Sequence, residues 1–325
     1  MPVKYWSFAG LMLTAWCNAS CASCYLNCGP DRPEWMGVEA ALGFWRSLVA
    51  ASPHGCRVHL TGGEPFGDWP RLIAICRRAR AEGLGPLHKV ETNAFWATDA
   101  AVVRERVAAL DDAGMQKLVI SADPYHQQFV PIERPRRAAQ VAAGVLGSDR
   151  VQVRWRDWLS EGEDTDKLSG SARSERFARY AAGGRDRLCG RAADALGAAL
   201  SCKSPSDLAD NSCQQMLLRS KHVHVGPEGR VFAGTCAGIV LGRLGPERSA
   251  SDLWGELTAD YGDRPVVGTL ARAGPVGLMR EATGGGFRAR TLYASKCHLC
   301  WDIRRWFARE GLHGEEVGPR WMYET

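Results

Sequence analysis

Twelve cysteines stand in this chain of 325 residues, and eight of them fall into two patterns that suit metal chemistry. The first is "CNASCASCYLNC", where Cys17, Cys21 and Cys24 are spaced C-x3-C-x2-C and Cys28 follows three residues further on. Structural zinc sites usually pair two C-x2-4-C elements, and a plant-type ferredoxin needs C-x4-C-x2-C. Neither pattern is present. Three thiolates on a four-iron cube leave one iron without a protein ligand, an open position that a bound substrate can occupy. Cys28 poses the alternative: as a fourth thiolate it would close the cube and make a plain electron carrier, whereas the turn at Gly29-Pro30 can point it away.

The second set is Cys213, Cys236, Cys297 and Cys300. Four thiolates complete a tetrahedral set, which suits structural zinc as well as iron. Of the remaining cysteines, Cys56 begins a strand and Cys76 lies on an apolar helix face, so both are expected in the core. Cys189 and Cys202 fall in a polar stretch and stay open as ligands, hydrogen-atom donors or plain thiols.

The totals narrow the classes. Hydrophobic residues at 45% and charged residues at 24% are ordinary for a globular protein. No apolar run approaches the roughly 20 residues of a membrane span, and "MPVKYWSFAG" lacks the features of a secretory signal, so a cytoplasmic protein without a membrane partner is expected. A net charge of +5 with interspersed signs does not indicate nucleic-acid binding. In a reducing compartment the cysteines read as ligands or catalytic groups rather than disulfides.

Elements must position these groups. "GLMLTAW", "CRVHLTGGEP", "HKVETNAF", "QKLVISADP" and "RVQVRWRDW" read as strands, separated by amphipathic helices; the first of these carries Val38, Ala41, Leu42, Trp45, Leu48 and Val49 at helical spacing. Such alternation predicts βαβ units around a parallel sheet, open or closed as a barrel. Residues 161–212 read as a polar, partly helical connector. "KHVHVGPEGRVFAGTC" reads as a hairpin, and the last helix begins at Cys297-x-x-Cys300.

C-x3-C-x2-C at the end of the first strand, followed by "TGGEP" (Thr61 to Pro65) after the second, resembles the radical S-adenosylmethionine (SAM) superfamily. The resemblance implies an α/β fold, a partial (β/α)6 TIM-like barrel over residues 1–160. It also implies that Cys17, Cys21 and Cys24 hold a 4Fe-4S cluster whose fourth iron is chelated by SAM. An electron from an external donor such as flavodoxin or ferredoxin then cleaves SAM to methionine and a 5'-deoxyadenosyl radical. Gly62, Gly63 and Glu64 match the segment that accepts the methionine ammonium group; glycines let carbonyls approach and a carboxylate offsets the charge. Asn93, Ser121 and Arg154 match positions that contact SAM. Asp123, Tyr125 and His126 follow in the loop at the barrel face where substrates bind, with Tyr125, His126 and Cys202 as candidate catalytic groups and Asp123 as a candidate cofactor contact. Where the family commonly has an aromatic residue before the third cysteine, this chain has Ser23, so Tyr25 or Trp16 is expected at the adenine.

The hairpin flanked by Cys213 and Cys236 and closed by Cys297 and Cys300 resembles the short "twitch" appendage, which implies one auxiliary 4Fe-4S cluster in a small hairpin-plus-helix domain at 213–325. The longer "SPASM" form needs further cysteines, and positions 301–325 hold none. The implied activity is hydrogen abstraction from a small molecule such as a sugar, an aminocyclitol or another natural-product precursor, ending in dehydrogenation, epimerisation or bond formation. Modification of a ribosomal peptide and a non-catalytic iron-sulfur electron carrier are the alternatives.

Overall fold

A computed structural model describes residues 3–184, 186–208 and 212–324. The five apolar runs form β1 (Phe8–Met12), β2 (Arg57–Thr61), β3 (Leu87–Thr92), β4 (Leu118–Ser121) and β5 (Val151–Arg154). Between them lie α1 (Val38–Ala51), α2 (Trp69–Ala81), α3 (Ala100–Asp112) and α4 (Glu133–Leu146). The pattern dictates which faces are buried: α1 turns Ala41, Leu42, Trp45 and Leu48 inward, and Cys76 sits on the buried face of α2. Polar side chains set where helices start. Asp68 accepts from Arg71 N–H at α2, and Asp99 accepts from Ala101 and Val102 N–H at α3.

Downstream come α5 (Arg156–Glu161), α6 (Gly170–Ala182), α7 (Arg191–Gly197), α8 (Gln214–Leu217), β6 (His222–Val225), β7 (Arg230–Ala233), β8 (Val240–Arg243), α9 (Ala250–Asp260), α10 (Pro265–Gly284) and α11 (Lys296–Glu310). The helix α10 is broken at Gly274-Pro275, where Gly274 leaves the helical region at φ 63°. Among the described residues no helix is long and apolar enough to cross a membrane.

All eight strands join one sheet in the order β5-β4-β3-β2-β1-β6-β7-β8. From β5 to β6 every pairing is parallel, and β7 and β8 then add antiparallel. The first strand of the expected hairpin therefore supplies the sixth parallel strand. It pairs with β1, Phe8 opposite His222 and Leu11 opposite Val225, and satisfies the backbone groups that β1 would otherwise leave as an open edge. The sheet thus runs without a break past the connection at 212 and 213. It is curved: groups following β1 to β5 line one cavity, and Arg154 on β5 reaches over β4 to pair with Glu91 on β3 at 2.8 Å. The architecture is α/β, a partial barrel of six parallel strands with a two-strand antiparallel extension.

Candidate functional site

The cavity at the C-terminal ends of the strands has a volume of about 380 Å³. The loop after β1 brings Cys17, Cys21, Cys24, Tyr25 and Cys28 to its wall. These thiols are withdrawn from solvent, with Cys17 8%, Cys21 5% and Cys28 2% exposed. Burial, assisted by the nearby Glu64 charge, pushes the Cys17 thiol up to about 12, and burial raises Cys21 well above its usual value. Cys17 and Cys21 thus give up their protons most readily to a cationic centre that binds their sulfurs. A hydrogen bond between the Cys24 and Cys28 sulfurs lowers Cys24 and raises Cys28, so Cys28 stands with the first three thiols rather than pointing away.

The loop is held from outside. Arg191 at the start of α7 donates from Nε to the Cys21 carbonyl at 3.0 Å, from Nη1 to Asn27 Oδ1 at 2.8 Å, and from Nη2 to the Cys28 carbonyl. From the same segment Arg187 lies over the Tyr25 ring at 4.9 Å, and Asp186 and Arg187 line the cavity. The connector thus closes one side of the mouth.

Gly62 and Gly63 form the wall after β2 because nothing larger fits there. A Cβ on Gly63 would collide with the Trp16 carbonyl, one on Gly62 with the Thr14 carbonyl, and Gly62 has φ +132°. The next two N–H groups are taken up in this approach, Gly63 N–H donating to Thr14 O at 2.8 Å and Glu64 N–H to Trp16 O at 2.8 Å. Glu64 is fully buried and does not face the cavity. Its Oε1 accepts from Phe66 N–H at 3.2 Å and Thr92 Oγ1 at 2.8 Å, and its Oε2 accepts from Asn93 N–H at 2.6 Å. Burial raises its carboxyl to about 7 in spite of these three donors. Here Glu64 acts as a brace between the loops after β2 and β3.

Asn93 faces the cavity and donates from Nδ2 to Asn18 Oδ1 at 2.9 Å, with Cys17 Sγ 3.6 Å away, while its Oδ1 accepts from Phe95 N–H at 2.9 Å. Ser121 and Arg154 also line the wall. Arg154 pairs with Glu91, which also pairs with Lys89 at 2.5 Å and accepts from Thr61 Oγ1 at 3.1 Å. Burial works against the Glu91 charge, but Arg154 and Lys89 outweigh it and hold the carboxyl well below its usual range. Asp123 is buried, caps Tyr125 and His126 N–H at 3.0 Å each, and meets His126 Nδ1 at 2.6 Å. Burial disfavours a charged His126, yet Asp123 more than compensates and raises it, and the ring stands on the cavity wall.

Two of the candidate catalytic groups lie elsewhere. Tyr125 is buried under Phe177 and Tyr180, its hydroxyl bonded to Asp186 and near the Phe177 carbonyl at 3.3 Å. Cys202 is exposed, its sulfur beside the Gly197 and Leu200 carbonyls. Trp16 packs against Gly67, Trp35 and Phe95, which leaves Tyr25 as the aromatic ring of this loop on the cavity.

The second thiol set assembles where α8, the turn after β7 and α11 meet. The charges of Cys297 and Cys300 bear on both Cys213 and Cys236; burial pushes Cys213 up to about 12 and Cys236 well above its usual value. Cys189 joins this group, feels the same two thiols, and has Sγ 3.8 Å from Arg304 Nη2. Arg304 is only 1% exposed, with partners in the Ala237 carbonyl at 2.6 Å and the Tyr323 hydroxyl at 2.7 Å. A cation buried among thiols suits a site whose occupied form is anionic. All-sulfur donor sets suit iron-sulfur clusters and structural zinc alike.

The sequence held no direct sign of Glu91, Arg187 or Arg191. Each is a charged residue in an ordinary context, and its role comes from distant chain segments, up to 170 residues away, that the fold brings to it.

No family model matches the chain. No curated protein matches it either. Among solved structures, BtrN in complex with AdoMet and 2-DOIA overlaps with a TM-score of 0.46 at 19% identity, covering 78% of this chain and 83% of that one. Native anSMEcpe with bound AdoMet and Cp18Cys peptide gives 0.45 at 12% identity over 93% and 97% of the two chains, and a polyhistidine-tagged anSMEcpe with bound AdoMet gives 0.45 at 11% over 93% of each. Overlap at these scores transfers no activity to this chain.

Proposed function

We propose that the chain is a radical SAM enzyme with one auxiliary iron-sulfur cluster, acting on a small polar molecule. The observation that carries the reading is the shared wall: Cys17, Cys21 and Cys24 face the same cavity as Gly62 and Gly63, Asn93, Ser121 and Arg154. Cys17, Cys21 and Cys24 would hold the first cluster, and four of Cys189, Cys213, Cys236, Cys297 and Cys300 the second. When bound, the first cluster and SAM supply a 5'-deoxyadenosyl radical that takes hydrogen from an unactivated C–H bond, and the second supplies a place for an electron to go. Arg154 offers a cation to a carboxylate, and Tyr25 offers a ring face to a base. His126, held by Asp123 through Nδ1, presents its ring to a polar group of the bound molecule. Asp186 and Arg187 add charged groups to the cavity wall, which favours a compact polar substrate over a peptide segment. If loaded, the second site would supply an acceptor for the electron that a dehydrogenation gives up after hydrogen abstraction, with the accompanying proton released to solvent.

The test is anaerobic reconstitution with iron and sulfide followed by SAM and dithionite. Formation of 5'-deoxyadenosine, with about eight iron and eight sulfide per chain, is the expected result. Its persistent absence from fully loaded protein overturns the reading.

The place of Cys28 beside Cys24 favours a second reading, in which four thiolates close the first cluster and the protein only carries electrons. Cys28→Ala separates the two. An enzyme keeps its iron and forms 5'-deoxyadenosine, whereas a carrier loses the cluster or opens it artificially.

A further inference from the structure

We propose that His59, His222 and His224 bind one divalent transition-metal ion of borderline softness, Zn²⁺ or a close analogue, on the floor of the barrel. The three side chains each offer a ring nitrogen within 4.8 Å of the other two. They come from the strands on either side of β1: His59 on β2 and His224 on β6 both stand opposite Gly10, and His222 stands opposite Phe8 on the same face. Gly10 makes the room. A Cβ there would lie 2.6 Å from His59 Nε2 and 2.7 Å from His224 Nε2, so a side chain would fill the space onto which the two rings converge.

The hydrogen bonds point to ligation rather than packing. His224 Nδ1 lies 2.6 Å from the Gly234 carbonyl and must donate to it, which leaves the lone pair on Nε2. His222 Nε2 is buried without any partner. His59 as a whole is only 2% exposed. An unsatisfied buried polar atom costs about 1–3 kcal/mol, and an ion relieves that cost where it takes the lone pair. A plain aromatic cluster would account for the ring contacts, such as Phe8 stacked on His59 at 4.8 Å. It gives no reason for three nitrogens to converge without a hydrogen bond among them. Burial also favours the neutral imidazole, the form that ligates. The charged groups acting on the trio are Lys89, Glu91 and Arg187, and Lys89 is neutralised by Glu91 at 2.5 Å.

Three neutral imidazoles with no thiolate suit Zn²⁺ and its neighbours, and they leave a fourth position for water. His59 lies one pleat below Thr61, a residue of the cavity wall, on the same strand face and about 7 Å deeper.

The experiment uses protein whose cysteine sites are already loaded with iron and sulfide, freed of loose metal on a chelating resin, then equilibrated with Zn²⁺ near neutral pH and desalted. One zinc per chain is expected with iron and sulfide unchanged, together with a zinc-edge absorption spectrum that shows nitrogen or oxygen neighbours at about 2.0–2.1 Å. His59→Asn combined with His224→Asn should lose that zinc and keep the iron. Failure to retain zinc, a sulfur neighbour at about 2.3 Å, or full retention in the double variant overturns the proposal. If the double variant does not fold, the wild-type spectrum decides alone. The result is independent of whether 5'-deoxyadenosine forms.

Discussion

Replacing Glu64 by Gln should change stability by an amount that depends on pH, in a direction fixed by the burial of the carboxylate. Glu64 is raised from 4.5 to about 7 in the folded chain. Between those two values the folded state holds a proton that the unfolded state has released, so the Glu64 contribution to stability falls as pH rises through that window and is level above it. The full span is worth about 3 kcal/mol, of which about 2.5 kcal/mol falls between pH 5 and pH 8. Gln cannot ionise and escapes this loss. It has only one acceptor oxygen for the three donors from Phe66, Thr92 and Asn93, and it leaves one of them unpaired at a cost of about 1–3 kcal/mol at every pH. The variant should therefore melt below the wild type at pH 5 and recover by about 5 °C relative to it at pH 8, at roughly 2 °C per kcal/mol for a chain of this size. Anaerobic thermal melts at matched iron content measure the difference. A gap that is constant with pH, or that widens toward pH 8, would refute the placement of Glu64 as a buried brace.

Arg191→Met removes the three donors that hold the cysteine loop, and it should cost about 2 kcal/mol in denaturant unfolding and speed iron loss to a chelator; unchanged iron retention would contradict the clamp. Tyr125→Phe should lower stability by about 1 kcal/mol and leave the rate of 5'-deoxyadenosine formation within about twofold, since Tyr125 itself does not line the cavity and its hydroxyl bonds behind the wall to Asp186; a tenfold fall in rate would place it in the reaction. Cys297→Ala combined with Cys300→Ala, which leaves three thiols in the second set, should halve iron from about eight to about four per chain and weaken SAM binding at the first site severalfold, read by equilibrium dialysis; unaltered SAM affinity would show the two sites to be uncoupled.

The α/β class was legible because each strand is an apolar run of 4 to 6 residues and each early helix carries its buried stripe at helical spacing. Both thiol sets were legible for a different reason: ligand spacing survives as sequence pattern even when the partners lie far apart. The role of β6 was not. "HVHV" has the alternation of any half-exposed strand, and only the empty edge of β1 explains why it joins the barrel instead of remaining in a separate hairpin. Nor could spacing tell Cys189 from Cys202. Both lie in polar surroundings, and what separates them is Arg304, more than a hundred residues downstream, which draws Cys189 into the second set while Cys202 stays exposed. Glu64 shows the opposite limit, since "TGGEP" supplies a carboxylate beside glycines but says nothing of Thr92 and Asn93, whose donors turn it inward.

The segment 186–191 ties these observations together. Asp186 and Arg187 line the first cavity, Arg187 covers Tyr25, Cys189 stands with the second thiol set, and Arg191 grips the first cysteine loop. Six consecutive residues therefore share their order with both centres. A short segment cannot be fixed at Cys189 by a filled second site without also restricting Arg187 and Arg191, because chain connectivity removes most of their freedom. Each loaded site lowers the entropy that the other must overcome, and linkage makes the effect mutual. On this ground the connector is the shared wall of the two thiol sets.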